Sequence, residues 1–184
     1  MVGDQGGPFS YPVDYFSAEA PEKYKIKGSF GHPVPVVDGK TQSSGAKASA
    51  IVLKKEFTDV KDLLCIDYTS AYSTPSLDKL VRTFVYDRQG KGSFTVGDEF
   101  TANAPIRFET AITTQANWKI IDDTHLLLTT GTEQMTVTIE ASGKVAFTSE
   151  TIEVNSPAYK RIGISLKEQS KDGYIRLTMR TKQL

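Results

Sequence analysis

Apolar and polar residues alternate with a period of two over most of the chain from residue 46 onward. The clearest runs are Val81–Asp87, Pro105–Thr114, Gln134–Glu140 and Tyr174–Thr181. Turn signals built from Gly, Asp and Asn separate such runs at intervals of about 8–12 residues. A period of two is that of a strand with one buried face, so the pattern predicts an all-β fold of about a dozen antiparallel strands. We therefore predict two sheets packed face to face in a β-sandwich.

The composition divides the chain into two parts. Residues 1–45 are rich in Gly, Pro, Ser and Tyr and predict an irregular segment, with short extended pieces at residues 11–16 and 24–27. Residues 46–184 form the predicted sandwich, with one helical turn in residues 73–79. The first residues, 1–8, have neither a helix start nor a leader, and we interpret them as continuing from a missing upstream part.

Charge and cysteine content exclude several classes of protein. Lys and Arg together number 22, as do Asp and Glu, so the formal net charge is zero and no nucleic-acid partner is predicted. No apolar run approaches the roughly 20 residues that span a bilayer, so no membrane span is predicted. Cys65 is the only cysteine, and this count excludes a disulfide framework and a cysteine-based zinc site. It lies in an apolar run and is predicted to be buried.

The segment Gly31–Gln42 carries the first candidate functional residue. His32 and Val34 each precede a proline, which favours extended backbone at both positions, and Asp38-Gly39 predicts a tight turn. A histidine on such a stiff backbone can be aimed precisely. The alternative is an ordinary loop histidine that packs or forms hydrogen bonds.

Asp4 and His32 together offer two ligands of the kind that zinc accepts, a carboxylate and an imidazole. A zinc site needs at least a third protein ligand, and the sequence offers no clear one. Asp38 has suitable chemistry but falls in the predicted turn, and His125 is interpreted as a strand or turn residue.

Two arginines and several aromatic residues are candidates for substrate binding. Neighbouring predicted strands carry two arginines and two acidic residues, Arg82, Arg88, Asp98 and Glu99, which predicts cross-strand ion pairs. The alternative is that Arg82 or Arg88 binds a substrate carboxylate, because guanidinium groups bind carboxylate and sulfate with two parallel hydrogen bonds. The aromatic candidates to stack on sugar rings are Tyr68, Tyr72, Trp118 and Tyr159, and the alternative for them is core or edge packing.

The residues from position 31 onward resemble the heparinase II/III-like polysaccharide lyases. The most specific match begins at Gly31-His32-Pro33 and continues to Gln42, and the similarity covers nearly the whole chain. Softer matches follow in the same order and spacing: Ile66–Tyr72, Arg82-Thr83-Phe84, Asp87-Arg88, Phe94–Phe100 and Lys160-Arg161-Ile162.

The resemblance implies the C-terminal β-sandwich of an enzyme whose N-terminal part is an α/α toroid. Such enzymes cleave uronate-containing acidic glycans by β-elimination, and their catalytic residues would precede Met1, so none is assigned in this chain. The resemblance further implies that Asp4 and His32 ligate a zinc ion in the full-length parent, with a further ligand upstream. It implies a periplasmic or secreted enzyme, an acidic polysaccharide and the missing toroid as partners, and a chain that supports the substrate cleft and is inactive alone.

Two alternatives come from other classes of protein. The first is a non-catalytic carbohydrate-binding β-sandwich module, which exposed aromatic residues in a row on one sheet face would favour. The second is an interaction domain of immunoglobulin-like architecture, which the absence of a Cys…Trp…Cys pattern disfavours.

Overall fold

The computed structural model describes residues 1–4, 7–8, 10–153 and 158–182. Two antiparallel sheets pack face to face, which confirms the predicted β-sandwich. Within the described residues, one sheet has four strands in the order β1-β6-β11-β10 and the other has eight in the order β2-β3-β4-β5-β12-β9-β8-β7. The strands are β1 Val36–Val37, β2 Ile51–Phe57, β3 Lys61–Asp67, β4 Leu77–Asp87, β5 Ser93–Ile106, β6 Phe108–Thr114, β7 Asn117–Asp122, β8 His125–Thr130, β9 Glu133–Ala141, β10 Val145–Ile152, β11 Tyr159–Leu166 and β12 Ser170–Lys182.

Three short helical pieces complete the described elements: the one-turn helix α1 Ala20–Lys23 and two 3₁₀ turns, Ser29–Gly31 and Thr69–Ala71. The helical turn predicted in residues 73–79 is wrong, because the 3₁₀ turn ends before this stretch and β4 begins within it at Leu77. The extended pieces predicted near Tyr15 and Lys27 are also wrong. Both regions are turns, closed by hydrogen bonds from the amide of Tyr15 to Pro12 and from the amide of Lys27 to Tyr24.

The core lies between the sheets and follows the predicted alternation. In β12, Ile175, Leu177 and Met179 are buried as predicted, and each lies beside a β5 residue that faces the same way. The rings of Phe100 in β5 and Phe108 in β6 stack with their centroids 4.6 Å apart. This contact joins the two sheets directly.

A second, smaller apolar cluster covers the other face of the four-stranded sheet. Ile152 and Tyr159 are directly paired in β10 and β11, and they pack against Tyr15 and Ile26 from the segment before β1. Because side chains alternate along a strand, Tyr159 and Ile162 of β11 face opposite ways, Ile162 toward the main core. The irregular first part of the chain therefore forms an outer layer on this sheet.

One edge of β6 is completed by two separate pieces of chain. Val36–Val37 pairs antiparallel with Phe108 and Glu109, and Val2 pairs antiparallel with Thr114 at the other end of β6. Both pieces run antiparallel to β6 and therefore in the same direction. They share one edge of β6, because β11 occupies the opposite edge. The chain thus leaves this edge after Gly3 and returns to it at Val36, and the outer layer lies between these points.

We expect Phe100→Ala to destabilise the fold by about 3–5 kcal/mol, because it removes a fully buried ring that joins both sheets. Urea unfolding followed by circular dichroism measures the change. Phe57→Ala is the matched control: Phe57 is 67% exposed, and its loss should change stability by no more than about 0.5 kcal/mol. Equal effects of the two substitutions would contradict this description of the core.

Candidate functional site

The backbone of the segment that carries His32 is extended, as its prolines predict. His32 has φ −111° and ψ 162° and directly follows the 3₁₀ turn Ser29–Gly31. Gly31 is required here, because a Cβ atom at this position would lie 2.3 Å from the carbonyl oxygen of Lys25. The Asp38-Gly39 turn is also confirmed: both residues have positive φ, 51° and 76°, and the amide of Lys40 donates to the carbonyl of Val37.

His32 and Asp4 are in contact. Asp4 lies where the chain leaves the edge of β6, and His32 lies shortly before the chain returns to it at Val36. The Nδ1 atom of His32 lies 2.8 Å and 2.9 Å from the two carboxylate oxygens of Asp4. The Nε2 atom lies 3.0 Å from the carbonyl oxygen of Ile26, which can only accept, so Nε2 carries a proton. Asp4 is half-exposed and His32 is about a quarter exposed, so the pair lies at the surface of the outer layer.

The donor set of this pair fits half of a zinc site. Metal-bound histidines usually donate their other ring N–H to a carbonyl or carboxylate, and Ile26 provides such a carbonyl for His32. A tetrahedral zinc at ordinary bond lengths would separate the imidazole nitrogen from the carboxylate oxygen by about 3.4 Å, slightly more than their present distance. Among the described residues no group of three or more His, Cys, Asp or Glu side chains is placed to hold a metal ion.

Arg82 is buried in an ionic cluster between the sheets. Its Nε and one terminal nitrogen donate to the two carboxylate oxygens of Asp98 at 2.7 Å and 2.8 Å. Asp98 also accepts from the hydroxyl groups of Tyr68 and Thr110, at 2.7 Å and 2.6 Å. Arg82 and Asp98 are directly paired in β4 and β5, which confirms the predicted cross-strand ion pair.

The outward end of Arg82 reaches the segment that carries His32. Its other terminal nitrogen donates to the carbonyl of Pro33 at 2.8 Å. Tyr72 is buried, and its hydroxyl donates to the carbonyl of Pro35, also at 2.8 Å. Both candidates for substrate binding thus donate to backbone carbonyls of the segment that carries His32, and their direct role in substrate binding stays a prediction.

Tyr159 holds the backbone on the other side of His32. Its hydroxyl donates to the carbonyl of Gly31 at 2.8 Å. The guanidinium of the neighbouring Arg161 lies 4.3 Å from the ring centroid of Phe30 and pairs with Glu109 at 2.6 Å. The sequence suggested only ring stacking or core packing for Tyr159, since nothing local signals a contact with a residue 128 positions away.

Arg88 lies apart from this cluster, at the end of β4. It is partly exposed, pairs with Asp62 of β3, and its guanidinium lies 4.8 Å from the ring centroid of Tyr86. A substrate-binding role for Arg88 also stays a prediction.

Three exposed aromatic residues form a row near Arg88 on the inner face of the eight-stranded sheet. Phe57 is paired with Asp62, Asp62 with Tyr86, and Tyr86 with Phe94, so these side chains cross β2 to β5 in one line. Directly paired residues face the same side of a sheet. The smaller sheet leaves this part of the face uncovered.

A cavity of about 470 Å³ opens between the sheets beside this row. Most of its wall is apolar and comes from the larger sheet, including Phe84, Phe94 and Met179. Arg82 and Asp4 also line it. The cavity therefore adjoins both the aromatic row, through Tyr86 and Phe94, and the surface pair, through Asp4.

The remaining sequence candidates are placed away from this site. His125 contacts Asp122 across the turn before β8, at 2.9 Å from Nδ1. Asp122 accepts from the backbone amide of Thr124 and from His125, which lowers the pKa of its carboxyl to about 2. Cys65 is a free thiol and is only partly buried, so the prediction that it is buried is wrong. No helix among the described residues is long and apolar enough to cross a membrane.

Known structures share this architecture although the sequence is distant. No family model and no curated protein matches the sequence. Among 28 matching solved chains is a heparinase III with methylated lysines, at 13% identity and a TM-score of 0.71 over 97% of this chain. Another heparinase III matches at 16% identity and a TM-score of 0.68 over 91% of this chain. A mutant of the heparan sulfate lyase HepC from Pedobacter heparinus matches at 14% identity and a TM-score of 0.70 over 97%.

The matched region is only a part of each of these proteins. This chain spans 26–28% of their lengths and corresponds to the C-terminal part of heparinase III. The fold expected from the resemblance, the β-sandwich of a heparinase-like lyase, is therefore confirmed as a fold.

The buried tyrosines predict how stability changes at alkaline pH. Burial raises the pKa of Tyr68 and Tyr72 well above 10.0, and burial together with the charge of Asp4 raises the pKa of Tyr159 to about 12. Above about pH 10 the unfolded chain loses these protons while the folded chain keeps them. The free energy of unfolding should therefore fall as pH rises from about 10 through the folded-state values.

Urea unfolding between about pH 8 and 11, with tyrosinate absorbance recorded in parallel, measures this effect. Tyr159→Phe should make the fall less steep, whereas Tyr174→Phe, at an exposed position of β12, should leave it unchanged. Ionisation of all eight tyrosines near pH 10 in the folded protein would contradict the prediction.

Proposed function

We propose that this chain is the C-terminal β-sandwich of a polysaccharide lyase that cleaves uronate-containing acidic glycans by β-elimination. The observation that carries the proposal is the fold match to heparinase III over 91–97% of this chain, which spans about a quarter of those proteins. The pair of His32 and Asp4 at the surface supports it. The chain forms one wall of the substrate cleft, and the larger upstream part, an α/α toroid, provides the other.

The reaction fixes which groups the complete enzyme must provide. A base removes the proton from the uronate carbon next to the carboxyl group, and those electrons form a double bond to the adjacent ring carbon. The bond from that ring carbon to the glycosidic oxygen breaks, and the oxygen takes up a proton from an acid. Within the described residues no group is assigned as base or acid, so the chain alone should be inactive.

His32 and Asp4 are proposed to hold a zinc ion in the complete enzyme, with a further ligand from the upstream part. His32 would bind through Nδ1, since Nε2 already donates to Ile26. The ion would fix the outer layer and give this wall of the cleft a positive charge. Without it, the hydrogen bond between His32 and Asp4 holds the same two parts of the chain together.

Acidic polysaccharides are polymers of the cell exterior, so we place the parent enzyme in the periplasm or outside the cell. The identity of the polysaccharide, whether heparan sulfate, alginate or another uronate polymer, depends on subsites that lie largely in the upstream part.

The alternative function is a non-catalytic carbohydrate-binding module. The row of Phe57, Tyr86 and Phe94 favours it, because exposed rings in line across a sheet can stack on successive sugars. Arg88 stands beside the row, although Asp62 neutralises it. This alternative needs no upstream domain.

A lyase assay on a longer form of the protein that includes the upstream part tests the proposed function. We expect unsaturated product, followed by its ultraviolet absorbance, from the longer form on at least one uronate polysaccharide and none from the present chain. His32→Ala in the longer form should lower kcat/KM by about 10–100-fold, the usual effect of losing a residue that organises a metal or cleft. His125→Ala is the matched control and should leave the rate unchanged.

Absence of product on every acidic glycan would contradict the lyase proposal. If the present chain then bound a glycan unaided, and Tyr86→Ala abolished that binding, the binding-module alternative would take its place.

Metal analysis of the longer form tests the zinc proposal separately. We expect one zinc per chain, lost on His32→Ala and weakened on Asp4→Asn, but retained on His125→Ala. His125 makes the same kind of contact with a carboxylate, so it controls for nonspecific binding to a His–Asp pair. Full zinc occupancy in the His32→Ala protein would refute the assignment.

A further inference from the structure

Both neighbours of His32 have their carbonyl groups held by buried side chains. Tyr159 of β11 donates to Gly31 at 2.8 Å, and Arg82 of β4 donates to Pro33 at 2.8 Å. The two donors come from different sheets. The residues on either side of His32 are therefore each bonded to a different sheet, by hydrogen bonds that neither touch its ring nor require a ligand.

The prolines make these bonds more important. Pro33 and Pro35 have no N–H group, so this stretch cannot form the regular ladder of an edge strand. Its carbonyls would otherwise have no obligatory partner, and Arg82 and Tyr72 provide one each. Side-chain donors thus hold this stretch, Arg82 at the residue next to His32 and Tyr72 two residues farther along.

Arg82 can hold Pro33 firmly because the rest of its guanidinium is fixed. Two of its nitrogens bind Asp98, which Tyr68 and Thr110 hold in turn. Arg82 and Asp98 are almost fully buried, at 7% and 1% side-chain exposure. Burial by itself would lower the pKa of the Arg82 guanidinium. The carboxylate of Asp98 outweighs this effect and raises that pKa.

On the other side, β11 supports the whole turn before His32. The hydroxyl of Tyr159 donates to Gly31, and the guanidinium carbon of Arg161 lies 4.3 Å from the ring centroid of Phe30. The turn Ser29–Gly31 therefore has little freedom to rotate, and the direction of the His32 side chain is set by β11 and β4 together.

We propose that Arg82 and Tyr159 are positioning residues for His32, and that the buried cluster of Arg82, Asp98, Tyr68 and Thr110 serves to aim this histidine at Asp4. The proposal rests on the proposed function only in that His32 is the functional group being aimed. The positioning is a property of this chain and needs neither metal nor substrate.

NMR of the histidine side chains in the present chain tests the proposal. The protein has two histidines, so His125 on β8 is an internal reference in every spectrum. Tyr159→Phe removes one hydroxyl group, and Arg82→Lys keeps the charge but loses the planar fork that binds Asp98 and Pro33 together. In both variants we expect the ring resonances of His32 to shift and those of His125 to stay. Exchange of the His32 Nε2 proton should become roughly fivefold to tenfold faster. This factor corresponds to the loss of one supporting hydrogen bond, the one to Gly31 or the one to Pro33.

Tyr72→Phe is the matched control. It also removes a buried hydroxyl that donates to a proline carbonyl, but at Pro35, three residues beyond His32. A general loosening of the fold would move His32 equally in Tyr72→Phe and Tyr159→Phe, whereas positioning moves it only in Tyr159→Phe. Arg88→Lys controls for the change from arginine to lysine at a partly exposed ion pair.

Unchanged His32 signals in folded Tyr159→Phe would overturn the proposal, as would equal shifts in Tyr72→Phe. If Arg82→Lys fails to fold, Tyr159→Phe alone decides. Failure of the lyase or zinc proposal would leave these spectra as predicted, so the two sets of outcomes are distinguishable.

Discussion

The ion pair between Arg82 and Asp98 is the constraint on which the rest of the structure depends. Two charges this deeply buried are tolerated only when each is paired and its remaining polar atoms are satisfied, and removing one partner of such a pair costs about 3–5 kcal/mol. The described contacts meet that condition: Asp98 accepts from Arg82, Tyr68 and Thr110, and a further nitrogen of Arg82 donates to the carbonyl of Pro33. Because Thr110 belongs to the smaller sheet, the cluster also ties the two sheets together.

The same cluster explains how an irregular segment can form part of a sandwich. The edge of β6 is completed by two pieces, Met1–Gly3 and Val36–Val37, and the chain between them lies as an outer layer on the smaller sheet. A split edge of this kind has to be fixed where the chain leaves and where it returns. Asp4 marks the departure, His32 and Pro33 mark the return, and the bonds of His32 to Asp4 and of Arg82 to Pro33 secure both.

The sandwich could be predicted from the sequence because period-two alternation depends on local sequence alone. Ile175, Leu177 and Met179 face the core since each is two residues from the next, and no distant information is needed. The tight turn at Asp38-Gly39 was predictable for the same reason, as few residues accept positive φ. The helical turn predicted in residues 73–79 is wrong because β4 begins there at Leu77, and the pairing of Leu77 with Ala102 is a contact between distant residues that local sequence does not show.

The site was only half predictable, because its parts are joined by contacts between distant residues. Chemistry singled out Asp4 and His32, and the structure brings them together, but the sequence gives no sign that Arg82 and Tyr159 hold the residues on either side. Arginine and tyrosine can donate hydrogen bonds to a bound ligand as readily as to a backbone carbonyl. Residue type alone therefore does not distinguish substrate binding from support of the backbone. Burial decides what such a side chain can do, and burial depends on the pairing of β4 with β5 and of β11 with β6.

A rigid sandwich suits the proposed role because aiming a side chain requires support from elements that do not move. His32 lies on irregular chain, yet its neighbours are bound to side chains of β4 and β11, and each of these strands is paired on both sides. The aromatic row of Phe57, Tyr86 and Phe94 lies on the same larger sheet, on the inner face that the smaller sheet leaves open. On the proposed function, the larger sheet thus provides both a fixed reference for His32 and an apolar surface beside it, so that displacement of β4 would disturb the two together.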